Sequence, residues 1–288
     1  MVLQKEIRDI AEKLQLPGNT IDKDYVLGHF LNGLFGQEWA QDNLLFKGGT
    51  CLKKCYFENY RFSEDIDATI VNPKFDLKRR HIQQVCDQVT DISGIAFKIL
   101  SFKPVEFNDM PIGWDVEVCF WGANHERNKP PVFGKDCHTK IWCEFRSYEQ
   151  VLFQQNRRKI FHFYSDVELI QSTIPCYDVH EILAEKLRAL IQRNRGEARD
   201  YFDIWYIKDK IANINWQSVK NAFLKKCEFK NTPFRNSNDF FQPKRLNQVQ
   251  ITWDKRLRHQ LPKNFDVETS LIIEDLKTFL FDLFDEPL

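Results

Sequence analysis

The chain has 288 residues, 43% of them hydrophobic, and its 41 basic and 41 acidic side chains cancel to zero formal charge. That length suits one large domain or two modest ones, with twenty-five Phe to build the core. Zero net charge removes any global electrostatic case for nucleic-acid binding. No apolar run reaches the eighteen residues a membrane span needs, and the charged start from Met1 to Arg8 is no secretory signal, so a cytoplasmic protein is expected.

Ile7, Ile10, Ala11 and Leu14 form a helical stripe that Pro17-Gly18 ends. A second helix follows Asn19-Thr20 and carries Leu27, Phe30, Leu31, Leu34 and Phe35 on one face. Leu44-Leu45-Phe46 reads as a strand stopping at Gly48-Gly49, where the backbone can turn sharply and come close to a ligand. Thr50 then stands where a helix through Leu52 and Tyr56 begins, so its hydroxyl and the free N–H groups can face an anion. A strand from Asp65 to about Val71 follows, then a helix over 77–92 that Ser93-Gly94 terminates.

From Ile95 to about Phe163 the pattern changes to period two. Strands are clearest over 114–120 and 140–146, joined by a polar loop at 123–138. After Pro175 the chain is helical again. Asp178 to Glu181 has the spacing of a capping box, Leu183, Leu187, Leu190 and Ile191 supply an apolar face, and segments 199–210, 215–227 and 267–284 also read as helices. A polar stretch near 228–248 separates them. The division is therefore an α/β half over 1–174 and a helical half over 175–288.

Three groups of residues carry chemistry. Asp65 and Asp67, two apart in a strand, project to one side, and two converging carboxylates suit a hard cation such as Mg²⁺ or Mn²⁺. Beside the Gly48-Gly49-Thr50 turn, with Lys47 able to reach a phosphate and Ser63 or Arg61 orienting the loop, they point to nucleotidyl transfer from an NTP. Ser63 joins the face of Asp65 and Asp67 if the strand begins that early. Glu144 shares a strand face with Lys140, Trp142 and Arg146 and is the favoured third acid, with Asp115 and Glu117 as rivals. In the helical half Asp200 and Asp203 lie in a helix apolar nearly all round, so they need basic partners, for which Lys186, Arg188, Arg193 and Arg199 are near in sequence. One reading makes this an internal ion network. The other turns Lys186 towards the triphosphate.

The eight cysteines contain no C-x-x-C pair. Cys51 and Cys55 are one helical turn apart, and Cys86, Cys119, Cys137, Cys143, Cys176 and Cys227 are scattered. Free, buried thiols are expected throughout, and His138 beside Cys137 is too little for a zinc site.

Lys23-Asp24-Tyr25-Val26-Leu27, Phe46 to Thr50, Arg61 to Asp67, Glu181 to Leu190 and Arg199 to Trp205 together resemble the AbiEii/AbiGii family of nucleotidyltransferase toxins, in the family's order from about residue 20 to 210. The tail around Trp253, Leu257 and Leu261 is more weakly similar. The resemblance implies an α+β fold: a DNA polymerase β-like nucleotidyltransferase core with a mixed or antiparallel sheet, and a C-terminal helical region. It places nucleotide phosphates at Gly48, Gly49 and Thr50 and metal at Asp65 and Asp67. It also matches Lys186 and Asp200 to the family's functional lysine and aspartate. Glu144 falls on the third-acid strand, with Glu where Asp is frequent. An RNA acceptor, with tRNA ends as the target class, and a cognate antitoxin complete what the resemblance implies. Nucleotide transfer to a small-molecule or protein hydroxyl is the competing enzymatic reading, favoured mildly by zero net charge. Local basic clusters at Arg157-Arg158-Lys159 and between Arg188 and Arg199 favour RNA. A non-catalytic binding protein keeping the fold is the third reading, and intact Asp65 and Asp67 argue against it.

Overall fold

The computed structural model describes residues 1–285 apart from 127, 135, 136, 138, 264 and 266, so His138 lies outside the described residues. The chain divides into two compact units. The first is Met1–Glu149 with Gln155–Tyr177, and the second is Gln150–Gln154 with Asp178–Leu288.

The first unit opens with helices α1 (Gln4–Leu14), α2 (Gly18–Phe35) and α3 (Glu38–Asn43), the last of which periodicity did not reveal. Helix α2 is buried along almost its whole length, so its apolar residues do not confine themselves to one stripe. Strand β1 (Leu44–Lys47) runs one residue past the expected end and leads into α4 (Gly48–Cys51), which continues as a wider turn over Leu52–Tyr56. Then come β2 (Asp65–Ile70), α5 (Arg79–Ser93), β3 (Ala96–Phe107), β4 (Met110–Trp121), β5 (Lys140–Arg146), β6 (Asn156–Lys159) and β7 (Thr173–Cys176). The seven strands make one mixed sheet in the order β3-β4-β5-β2-β1-β7-β6. Strands β2 and β5 are parallel neighbours at its centre, as are β1 and β7, while every other pair is antiparallel.

Burial in β5 follows the expected alternation, with Ile141, Cys143 and Phe145 in the core and Trp142 and Glu144 exposed. Six cysteines are free and buried, as expected. Cys119 and Cys137 are not: the loop after β4 folds back beside it and joins the two in a disulfide, with Cα atoms 6.5 Å apart. Eighteen intervening residues concealed that approach from any reading of spacing.

The second unit holds α6 (Val179–Gln192), α7 (Ala198–Lys210), α8 (Trp216–Phe229), α9 (Pro243–Thr252) and α10 (Thr269–Asp285). Helix α9, preceded by a short turn over Ser237–Phe241, begins inside the stretch expected to be merely polar, and Pro243 at its first position opens it. Asp178 caps α6 by accepting from the His180 N–H, but Glu181 does not reach back to complete a capping box. Its fully buried carboxylate instead accepts from the N–H groups of Leu152 and Phe153 at 2.7 and 2.8 Å and pairs with buried Lys226 at 2.5 Å. A buried charge must find partners, and these bonds fasten Gln150–Gln154 into the helical unit. Among the described residues, no helix is long and apolar enough to cross a membrane.

Candidate active site

The site is built where β1 turns into α4. Gly48 has φ +81°, a conformation that L side chains rarely adopt. A Cβ there would strike Asp67 Oδ2, so the missing side chain lets the Asp67 carboxylate fold over the turn. At Gly49 a Cβ would come 2.6 Å from the Arg61 guanidinium and 3.0 Å from Ser63 Oγ. Both glycines therefore make room for protein groups of the metal-binding loop as well as for a ligand. The first N–H groups of α4 have no partner within the helix and are free to meet an anion.

Thr50 is buried, and its hydroxyl is used within the protein. It donates to the Asp65 carbonyl oxygen and shares a 2.9 Å hydrogen bond with Ser63 Oγ. Ser63 stands outside β2, which begins at Asp65, yet this bond still ties it to the turn. Lys47 is paired across the strands with Asp67, and its ammonium lies 5.4 Å above the Tyr177 ring.

Sheet register assembles the carboxylates. Asp65 and Asp67 of β2 stand opposite Trp142 and Glu144 of parallel β5, so Glu144 is the immediate neighbour of Asp67. Asp115 and Glu117 lie one strand further out, opposite Glu144 and Trp142. Glu117 is paired with Lys140 at 2.6 Å, while Arg146 bridges Asp115 at 2.6 Å and Glu144 at 3.1 Å. Partial desolvation and the nearby Asp67 charge push the Glu144 carboxyl above its ordinary pKa, against the pull of Arg146. This all-oxygen set on one sheet face fits a hard divalent cation, held by Asp65 and Asp67 with Glu144 adjoining.

Two residues of the Lys23-Asp24 motif acquire a role that the sequence did not reveal. Lys23 binds Glu64, next to Asp65, at 3.0 Å. Asp24 binds Lys54, on the turn that continues α4, at 2.7 Å with both side chains buried. Burial works to raise the Asp24 pKa, but the charges of Lys54 and Lys53 carry it below its ordinary value. Helix α2 thus grips both sides of the site. The only signal in sequence was two adjacent charges in an otherwise apolar helix.

In the helical unit Lys186 reaches Asp200 and Asp203, each at 2.8 Å, and Arg193 adds a 3.1 Å contact to Asp200. Both aspartates are buried, and Lys186 is 12% exposed. This is the ion network anticipated from the sequence, joining α6 to α7.

A glycine turn leading into a helix, next to paired acids on a mixed sheet, defines a nucleotidyltransferase. A family profile described as nucleotidyl transferase AbiEii toxin, type IV toxin–antitoxin system, matches residues 29–280, and the chain belongs to that family. Its fold is similar to that of MenT4, a nucleotidyltransferase toxin from Mycobacterium tuberculosis H37Rv, with a TM-score of 0.63 and 17% identity over 100% of this chain and 91% of that one. It is also similar to a putative nucleotidyltransferase from H. pylori, with a TM-score of 0.54 and 13% identity over 93% and 96% of the two chains. No curated protein sequence matches.

Gly48→Ala tests the turn. The strained φ and the clash with Asp67 should shift that carboxylate by about an ångström, which costs transfer about 10²-fold. Single-turnover rates with labelled nucleotide would measure it, and an unchanged rate would separate the turn from the chemistry.

Proposed function

We propose that the protein transfers a nucleotide from an NTP to an RNA hydroxyl, with tRNA ends as the target class, in a reaction that depends on Mg²⁺ or Mn²⁺. The observation that carries this reading is the packing of the Asp67 carboxylate onto the Gly48 turn, with Asp65 and Glu144 beside it in register. It brings an anion-binding turn and a cation-binding carboxylate set within one side chain of each other. A bound Mg²⁺ supplies charge that offsets what develops on the α-phosphate and departing pyrophosphate.

The residues of the chain do the positioning. Asp65 and Asp67 would hold the cation, and Glu144 would complete the set from the adjoining strand. The N–H groups opening α4 orient the phosphates for in-line attack, and Thr50 and Ser63 fix that turn to the backbone of Asp65. The acceptor oxygen bonds to the α-phosphorus as the bond to the bridging oxygen breaks, and pyrophosphate leaves with the electron pair. Family membership also supports a cognate antitoxin as partner.

The test is incubation with each α-labelled NTP, Mg²⁺ and total cellular RNA, with protein alone and a small-metabolite fraction as parallel acceptors. Label at RNA ends that disappears with chelator is the expected result. Label only in the protein or metabolite fraction would replace the RNA reading, and none in any fraction would defeat the transfer reading.

A further inference from the structure

The first unit contains a second cluster of metal-ligating side chains that nucleotide transfer does not use. His29 belongs to α2, whereas His162 and Asp166 belong to the segment after β6. His29 Nε2 is 3.1 Å from Asp166 Oδ2, and His162 Nε2 is 3.2 Å from Asp166 Oδ1. All three ligand atoms lie within 4.8 Å of one another. The two imidazoles meet edge to face with centroids 5.0 Å apart, as rings do when their nitrogens converge on one point. The two histidine side chains are nearly inaccessible, and Asp166 is 13% exposed.

We propose that His29, His162 and Asp166 form a structural Zn²⁺ site that pins the segment after β6 to helix α2. Zinc bonds to imidazole and carboxylate of about 2.0–2.2 Å in a tetrahedron place the ligand atoms about 3.3 Å apart, close to the two separations here. The donors are of the class zinc favours, two nitrogens and one oxygen. A supporting shell is also present. The Tyr25 hydroxyl donates to Asp166 Oδ2 at 2.7 Å and accepts from the Val2 N–H at 3.1 Å, which directs its proton to the carboxylate. Outer hydrogen bonds of this kind orient ligating carboxylates. Gly28 makes room for the arrangement, because a Cβ there would collide with His162 Nδ1. The alternative occupant is protons alone, with both imidazoles donating to Asp166.

The full-length protein, dialysed against Zn²⁺ and then against buffer, should retain one equivalent by elemental analysis and melt at a higher temperature than chelator-treated protein. His162→Gln and Asp166→Asn should lose both the metal and the shift, while Asp65→Asn/Asp67→Asn should keep both. Tyr25→Phe preserves the ligands and shape, so its Zn²⁺ affinity should fall only about 10–100-fold. Co²⁺ in place of Zn²⁺ should give a visible spectrum without thiolate charge-transfer bands. Such bands would move the metal to Cys51, Cys55 and Cys176, three buried thiols that also converge, and would overturn the assignment. Failure of the parent protein to take up Zn²⁺, or retention by His162→Gln and Asp166→Asn, would overturn it equally. None of these readouts depends on nucleotide transfer.

Discussion

Asp65→Asn is expected to lower nucleotide transfer by about 10³-fold, equivalent to about 4 kcal/mol of transition-state stabilisation, while leaving the protein folded. Asparagine keeps the shape of the side chain but removes the charge that a hard cation requires. Asp65 and Asp67 are both half-buried, so neither anchors the core, and Ile66 and Ala68 between and after them do. Asp67→Asn should behave similarly. In the absence of metal, removing one of three adjacent carboxylates relieves like-charge repulsion, so the melting temperature should hold or rise slightly. The measurements are incorporation of labelled NTP under saturating Mg²⁺ and a thermal melt of the same preparation. Undiminished incorporation by a folded Asp65→Asn protein would remove the carboxylate pair from the mechanism.

Lys186→Met should act on stability first. It strips the shared cation from Asp200 and Asp203, two buried carboxylates, and leaves Arg193 to neutralise Asp200 alone. Loss of one side of a buried ion pair should cost about 3 kcal/mol here, the low end of the usual range because Arg193 stays. Denaturant titration would read this as a lower midpoint, and Lys186→Arg should recover part of it.

The pH dependence follows from Asp200. Burial works to raise its pKa, but Lys186, Arg193 and Arg199 together hold it below the ordinary 3.8. A carboxyl with a depressed folded-state pKa stabilises the protein fully above its unfolded value, and that contribution fades as pH falls through the folded-state value. Acid unfolding of the parent protein below about pH 4 should therefore be steeper than that of Lys186→Met, which has already lost much of the contribution. Loss of transfer with no loss of stability would instead assign Lys186 to the phosphates.

The candidate site was legible to unequal depths. Gly48-Gly49 and Asp65-x-Asp67 could be read because each depends on local geometry: a turn that needs φ above zero, and a strand whose side chains alternate. Glu144 was legible only as one of several acids on strands, because nothing local states which strand lies next to β2. The roles of Lys23 and Asp24 were hidden for the same reason, since their partners are 41 and 30 residues away. Glu181 misled the local reading: its spacing from Asp178 fits a capping box, but burial gave it stronger partners in Leu152, Phe153 and Lys226.

The sequence by itself determined the alternation of β5, the helices of the second unit, the glycine turn, the paired aspartates and the need of Asp200 and Asp203 for cations. All of these follow from periodicity, backbone freedom or the cost of burying charge, which operate over a few residues. The tertiary structure alone decided that β2 lies between β1 and β5, that Glu144 stands beside Asp67, and that Cys119 meets Cys137. It likewise brought His29 to His162 and Asp166 across more than 130 residues. Such meetings depend on which strand edges pair and which faces pack, and that choice is made by the whole core together.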